Sequence, residues 1–207
     1  NYIAHLIYNG TSFDLQNAYT FPAARIGTDA ITTVKILNAN VTTEKIANSA
    51  INYTKLGAGS VVQVVYASGF AWGTGTTVFP YDNTIPQNTE GTEFMSITIT
   101  PKSSTSKLYV EAALGLTVDT VGRISIAAMF RDTTADAIKA AMACPAVVNE
   151  PTWLSMQAEV NAVATSATTF KIRGGGNIGT VYFNGNNIEA KFGGVCGGYM
   201  RVVEVLQ

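Results

Sequence analysis

Residues 30–59 repeat with a period of ten, and this repeat constrains the fold more than any other feature. Read in tens, the segment is AITTVKILNA, NVTTEKIANS and AINYTKLGAG. Each unit carries one apolar residue near its start and another five residues later, directly after a lysine. A fixed period indicates a repetitive architecture. An apolar side chain every five residues fits neither the period of a helix nor that of a strand.

One copy of this segment cannot bury its own apolar side chains. Burying each of them stabilises by roughly 1.5–3 kcal/mol, and ordering a residue costs about as much. The sequence therefore predicts an oligomeric shaft, in which several copies wind around a common axis. The alternative is a polar linker with chance periodicity, although the apolar phase, the lysine and a threonine pair recur together. The predicted axis core consists of Ile31, Ile36, Val41, Ile46, Ile51 and Leu56.

The composition also favours assembly with other copies of the chain. Only 13% of the residues are charged, against roughly a quarter in ordinary soluble domains. No run approaches the ~20 apolar residues of a membrane span, so we predict no membrane insertion. The formal net charge of -1 provides no basic field, so we predict no nucleic-acid binding.

From Val61 onward the sequence predicts strands. Short runs rich in Val, Ile, Thr, Phe and Tyr are bounded by Gly, Pro, Asn and Asp, which is typical of an all-β sandwich or jelly roll. The alanine-rich segment 133–143 also suits a short helix. The predicted strands are Val61–Ala67, Thr76–Phe79, Glu93–Thr100, Lys107–Leu116, Arg123–Arg131, Ala137–Ala143, Thr152–Asn161, Thr168–Arg173, Gly179–Phe183 and Tyr199–Leu206.

Three parts are therefore expected along the chain. Asn9-Gly10, between apolar residues, predicts a hairpin, which we interpret as the end of an upstream fibre domain or as a collar. The expected parts are a hairpin at 1–20, a repeat shaft at 21–59 and a β-sandwich head at 60–207. The chain begins with Asn1 and lacks a signal-peptide pattern, so we expect a C-terminal part of a longer chain, or a processed form.

The sequence offers little for catalysis, metals or cofactors. His5 is the only histidine, so one chain cannot form a zinc site with two histidines or a Ser-His-Asp triad. Glu90 with Glu93, and Asp132 with Asp136, are the carboxylate pairs that a glycoside hydrolase would require. Each pair lies in a predicted surface loop. We predict no catalytic residue, no metal site and no cofactor.

Two further patterns have structural explanations. Gly174, Gly176 and Gly179 spell G-x-G-x-x-G, but a predicted strand follows where a dinucleotide site needs a helix. A glycine turn in a hairpin is the favoured interpretation. Cys144 and Cys196 are too few for a disulfide framework, and free thiols are favoured over a bridge.

Three aromatic residues are the candidates for ligand contact. Phe70 and Trp72 lie in SGFAWGTG, where glycines leave them without a regular scaffold, and Trp153 begins a predicted strand. Exposed rings of this kind contact carbohydrate and protein partners. Packing in the core is the alternative for each.

The repeat and the segment FPYDNTIPQNTEGTEFMSITITPKSSTSKL (Phe79–Leu108) resemble the C-terminal parts of bacteriophage tail-fibre and related virion-fibre proteins. FKIRGGG, VYFNG and KFGG, from Phe170 onward, fit the same family. The resemblance implies a homotrimeric fibre of the virion with a β-rich tip. The implied partners are other virion proteins of the tail or capsid, and a host-surface glycan or protein. Ten strands after a trimeric stalk are also similar to the tumour-necrosis-factor and complement-head jelly roll.

We therefore expect a structural fibre that attaches to a host surface, and not an enzyme. A tip that depolymerises host glycans and a purely architectural fibre are the two alternatives. If the first and last strands of the head pair beside the shaft, loop 68–74 lies at the far end. Loss of Phe70 and Trp72 is then expected to weaken cell binding and to leave the melting temperature unchanged.

Overall fold

The computed structural model describes residues 6–15, 36, 41–120 and 122–207. These residues form β-strands and short 3₁₀ turns but no α-helix. The chain divides into two compact units, Asn1–Ile51 and Asn52–Gln207. Our division into hairpin, shaft and head stays a prediction.

The first unit contains the hairpin that Asn9-Gly10 predicts. Strand β1 (Leu6–Tyr8) pairs antiparallel with β2 (Phe13–Leu15). The Asn9 side-chain oxygen accepts hydrogen bonds from the backbone N–H groups of Thr11 and Ser12. These local bonds hold the turn in the way that asparagine favours.

The ten-residue repeat folds into the same two turns in both of its described copies. A 3₁₀ turn at Thr43–Lys45 recurs at Tyr53–Lys55. A second turn follows each, and its third residue has a positive φ, 65° at Ser49 and 84° at Gly59. Every residue from 41 to 59 is exposed. The hydrogen bonds that close the turns are local, and Gly59 N–H donates to Leu206 O. Because every side chain stays exposed, one copy of the repeat builds no core.

The second unit contains a sandwich of two antiparallel sheets. One sheet has the order β5-β10-β7-β8. The other has the order β3-β12-β6-β11-β4, and β9 pairs with the opposite edge of β6. The strands are β3 Val61–Ser68, β4 Gly73–Gly75, β5 Thr92–Ile99, β6 Lys107–Val118, β7 Ser125–Arg131, β8 Lys139–Ala143, β9 Thr152–Asn161, β10 Thr168–Gly176, β11 Val181–Phe183 and β12 Tyr199–Val205.

The strand order is that of a jelly roll, which confirms the predicted fold class. When the eight longer strands are numbered along the chain, the sheets have the orders 1-8-3-6 and 2-7-4-5. This arrangement of two Greek keys defines the double-sheet jelly roll. The short strands β4 and β11 extend the larger sheet past the ends of β3 and β12.

One predicted strand is absent, whereas the strand predicted at Ala137–Ala143 forms as β8 and the alternative helix does not. No strand forms at Thr76–Phe79, because the Phe79 side chain is buried outside the smaller sheet and the short strand lies earlier, at β4. Segment 133–143 is not a helix. Its first half forms turns and its second half is β8, which pairs with β7.

Apolar side chains pack on both faces of β7. The main core lies between the sheets and includes Ala127 and Met129 of β7. On the outer face, Ile126, Ala128 and Phe130 form a second cluster with Phe79. The segment between β4 and β5 therefore covers the outside of the smaller sheet.

The head begins and ends at one end of the sandwich, which we call the entry end. The first strand β3 pairs with the last strand β12, with Val61 opposite Val205, as predicted. Just before and after these strands, Gly59 N–H donates to Leu206 O and Leu206 N–H donates to Ser60 O, at 2.8 and 3.0 Å. These bonds fix the point at which the repeat joins the head.

Candidate binding sites on the head

Two segments of the chain leave the larger sheet side by side, each between two strands. β11 leads into β12 only after residues 184–198 leave the sheet, although both strands pair with β6. Beside them, β3 leads into β4 after residues 69–72 leave the sheet. We call these the long and the short excursion. The short excursion was expected at the far end of the sandwich, but the sheet continues beyond it through β4 and β11.

Asn184 anchors both excursions. It is 4% exposed and has a φ of 57°, in the left-handed region that asparagine tolerates. Its side-chain amide donates to Phe70 O at 2.8 Å and accepts from Gly198 N–H at 2.9 Å. Its backbone N–H donates to Gly115 O. One buried side chain thus ties the start of the long excursion to its end and to the short excursion.

Phe70 and Trp72, predicted as binding residues, contribute to this structure. The Phe70 side chain is half-buried and packs against the main core. The Trp72 indole N–H donates to Asn186 O at 3.0 Å. Its ring lies so close to Gly185 that a Cβ there would be 2.6 Å from Trp72 Cδ1. The Trp72 ring therefore supports the long excursion, and the Phe70 ring fixes the short excursion on the core.

We expect replacement of Phe70 and Trp72 together by alanine to lower the melting temperature of the head, contrary to the expectation from sequence. The variant loses a core contact and a hydrogen bond, which together contribute about 2–4 kcal/mol. A thermal melt measures the loss. Phe192→Ala is the matched control, because that ring is 81% exposed, and its melting temperature is expected to change little. A double variant as stable as the parent would contradict this role.

The long excursion carries exposed apolar side chains that the sequence prediction missed. Ile188, Phe192 and Val195 are 74%, 81% and 86% exposed. The sequence pattern that indicates them is NGNNIEAKFGGVCGG, in which apolar residues stand among Asn and Gly without a regular scaffold. The same reasoning was applied only to Phe70 and Trp72.

Trp153 lies on the outer face of the larger sheet and is 50% exposed. It stands on β9 opposite Gly115 of β6, and its ring lies over that glycine. Trp153 is therefore on the same sheet as the excursions, but on the opposite side of β6. The structure does not bring it together with Phe70 and Trp72 into one group.

The outer face of the larger sheet combines apolar and paired charged side chains. Tyr66 stacks on Tyr199, with ring centroids 5.9 Å apart. The Tyr199 hydroxyl and the Arg201 guanidinium donate to Glu111. These bonds, chiefly that from Tyr199, lower the pKa of Glu111, and the same bond raises the pKa of Tyr199. Because the folded pKa of Glu111 lies below the unfolded one, its stabilisation is lost as pH falls through the folded pKa.

A groove of about 600 Å³ lies on the other sheet, between the segment that follows Phe79 and strand β8. Tyr81 is 61% exposed at its rim. Beside it, Asp82 accepts from the Thr84 hydroxyl and backbone N–H at 2.6 and 2.8 Å. The hydroxyl first, and then the N–H, lower the pKa of Asp82. The groove is lined by Pro80, Tyr81, Asp82, Thr84, Pro86, Ile126, Ala140, Ala141 and Met142.

The carboxylates considered for glycoside hydrolysis bond to neighbouring protein groups. Glu90 accepts from Gln87 N–H, and Asp136 from the Gln87 amide. Asp132 accepts from a backbone N–H of β10, and Glu93 lies beside two cations of the same strand. These contacts give each carboxylate a structural role in the fold.

The glycine run and the two cysteines have the structures that the favoured interpretations predict. A turn after β10, with a φ of 74° at Gly179, leads into strand β11 and not into a helix. Cys144 and Cys196 are free thiols. Within the described ranges, no group of His, Cys, Asp and Glu is placed to hold a metal ion. The same part of the chain has no helix long and apolar enough to cross a membrane.

The ladder of the repeat is exposed in the single chain. Ile31 lies outside the described residues. The other five side chains have relative exposures between 40% and 59%, which is high for large aliphatic residues. They are Ile36, Val41, Ile46, Ile51 and Leu56.

No protein-family model matches the chain, and no curated protein resembles it in sequence. Among solved structures, it is similar to the infectious bursal disease virus VP2 subviral particle (TM-score 0.32, 9% identity, 70% of this chain and 38% of that one). It is also similar to Eiger TNF from S. frugiperda (TM-score 0.34, 9% identity, 67% of this chain and 94% of that one). A third similar structure is the enzymatically active domain of bacteriophage CBA120 tailspike protein 4 (TM-score 0.26, 13% identity, 72% of this chain and 20% of that one).

A viral capsid protein and a phage tailspike domain are thus among the structures that this chain resembles weakly. The chain spans well under half the length of these two viral proteins. Because every TM-score is below 0.5, these similarities do not bear on its activity or partners. The exposed ladder and the surfaces of the head are the features from which its function must be inferred.

Proposed function

We propose that this chain forms a homotrimeric virion fibre, in which the repeat builds the shaft and the jelly-roll head attaches to the host cell surface. Its partners are two further copies of itself, other proteins of the tail or capsid, and a glycan or protein of the host. The resemblance of the repeat and of Phe79–Leu108 to phage fibres suggests this class.

The exposed ladder is the observation that carries the proposal. Each described repeat uses its backbone hydrogen bonds in two local turns and leaves its apolar side chains in water. A segment with so regular a conformation and no core requires apolar cover from outside. Further copies in the same register provide that cover, because they present the same side chains at the same levels.

The head offers separate surfaces for assembly and for attachment. The outer face of the larger sheet has large exposed apolar side chains on the strand that continues from the repeat, including Val64 and Tyr66. We assign the part of this face on β3 and β12 to contact between heads, which leaves Trp153, on β9 at the other edge of the sheet, outside that contact. Attachment is assigned to the receptor-binding candidates Phe70, Trp72 and Trp153. Trp72 acts by holding the long excursion, whose own apolar side chains are exposed. Phe70 acts by fixing the neighbouring short excursion on the core.

Two measurements on the intact chain test this proposal. Sedimentation is expected to give three times the chain mass of 21.9 kDa, and a species of 21.9 kDa would contradict the shaft. The purified protein is also expected to block adsorption of the virion to host cells. A trimer that blocks nothing would instead support a purely architectural fibre. Release of sugars from host capsule or lipopolysaccharide would support the depolymerase.

A further inference from the structure

The groove beside Tyr81 has the size and the mixed lining of a small-ligand site. Its volume of about 600 Å³ falls within the roughly 300–1,000 Å³ that is usual for ligand pockets. Two prolines give its walls a fixed backbone, and the small side chain of Ala140 keeps its floor open. Met142, 60% exposed, and Ile126 lie opposite each other in the register of β7 and β8 and provide apolar surface.

Asp82 is positioned to accept hydrogen bonds from a ligand. One oxygen, Oδ1, accepts both bonds from Thr84, which orients the carboxylate. Among the described residues, no donor contacts the other oxygen. Hydrogen bonds to a charged acceptor are stronger than neutral ones, so this oxygen can select a ligand that offers hydroxyl donors.

The aromatic ring beside the carboxylate narrows the class of ligand. Tyr81 presents a large, exposed, nearly apolar surface with a polar tip. The C–H face of a pyranose ring packs on such a surface, while adjacent hydroxyls of the sugar reach a neighbouring carboxylate. Among the described residues that line the groove, Asp82 is the only charged one. A nucleotide or an acidic sugar would meet no cation there.

We propose that this groove binds a neutral hexopyranose unit of a host-surface glycan, with Tyr81 stacking on the sugar ring and Asp82 accepting hydrogen bonds from two of its hydroxyls. This inference rests on the proposed attachment function and names the class of its receptor. It adds a site on the smaller sheet that is distinct from the two excursions.

The position of the groove suits simultaneous binding by three heads. It lies outside the smaller sheet, whereas the face assigned to head contacts belongs to the larger sheet. Assembly through the larger sheet leaves all three grooves open. Linked weak sites gain about 10²- to 10⁴-fold in avidity, so millimolar binding of a single sugar is sufficient for attachment.

The test uses methionine-methyl NMR on the full chain with methyl pyranosides of glucose, galactose, mannose, rhamnose and N-acetylglucosamine as probes. Met142 lines the groove, while the other four methionines are at most 4% exposed and serve as internal controls. We expect at least one pyranoside to shift the Met142 methyl resonance saturably at millimolar concentration. The four buried methyl resonances should stay in place.

Three variants test the assigned roles with the sugar that binds. Asp82→Asn keeps an oxygen for Thr84 but loses the charge, and Tyr81→Ala loses the ring. Each is expected to weaken binding about tenfold or more. Tyr81→Phe keeps the ring and is expected to bind as the parent does. All three should melt like the parent, because both residues are exposed.

The proposal is overturned if none of the five pyranosides shifts the Met142 resonance, or if the shift survives in Tyr81→Ala and Asp82→Asn. A shift caused by lysine methyl ester, but by no sugar, would identify a cationic ligand and overturn it as well. An adsorption assay separates this outcome from failure of the attachment function. If Tyr81→Ala blocks virion adsorption as well as the parent does, the head attaches through another surface.

Discussion

Replacement of Glu204 by alanine is expected to destabilise the head by about 3–5 kcal/mol. Glu204 is fully buried on the inner face of β12, near the entry end. Its carboxylate accepts hydrogen bonds from the backbone N–H groups of Lys102 and Ser103, at 2.8 to 3.1 Å. Those residues belong to the loop that joins β5 of one sheet to β6 of the other. Alanine leaves two N–H groups without an acceptor and opens a cavity where the sheets are joined.

Chemical denaturation and thermal melting measure this loss. For a head of about 150 residues, a change of this size lowers the melting temperature by roughly 6–20 °C. Glu204→Gln should lie between the parent and Glu204→Ala, since the amide keeps one acceptor oxygen. Glu159→Ala is the control. That carboxylate is exposed on β9 and pairs with Lys107, and its loss should leave the melting temperature nearly unchanged. Equal melting temperatures for Glu204→Ala and Glu159→Ala would refute the assigned role.

Replacement of Ile46 by aspartate is expected to abolish the trimer that we propose. Three carboxylates would then stand around one axis, where burial and like charges both oppose ionisation. The cost is on the order of 5 kcal/mol per trimer or more. Burial and the neighbouring like charges both raise the pKa of the introduced aspartate side chains above the usual range of aspartate. The trimer should therefore be favoured again as the pH falls and these groups become neutral.

Asn48→Asp is the matched control for Ile46→Asp. It places the same charge two residues away, in the turn between Ala47 and Ala50, at a position outside the predicted axis core. Sedimentation at several pH values should give a trimer for Asn48→Asp throughout. If both variants stay trimeric at neutral pH, Ile46 does not face the axis. If both dissociate, the charge acts without regard to position.

Most strands of the head could be predicted because their residues alternate. In β5, SITI places Ile97 and Ile99 inward and leaves the residues between them exposed. The same alternation in β12 already places Glu204 with Met200 and Val202 on the core face. The sequence could not reveal its partners, because Lys102 and Ser103 lie about a hundred residues away and bond through their backbones.

The structural roles of Phe70 and Trp72 were harder to predict for the same reason. Phe70 and Trp72 stand among glycines, which indicates an irregular segment but not its neighbours. Residues 69–72 and 184–198 lie side by side because β3 and β4 pair with β12 and β11. Because of that pairing, the Trp72 indole N–H finds an acceptor at Asn186 O. Trp72 therefore supports the long excursion, which carries Phe192.

By itself, the sequence determined the features that depend on near neighbours: the period of ten, the hairpin at Asn9-Gly10, and the alternation that defines most strands. These follow from backbone preference and side-chain spacing over a few residues. Only the tertiary structure decided the order of strands in the two sheets, the burial of Glu204, the roles of Phe70 and Trp72, and the groove beside Tyr81. Each of these depends on contacts between segments distant in the chain, which local patterns do not specify.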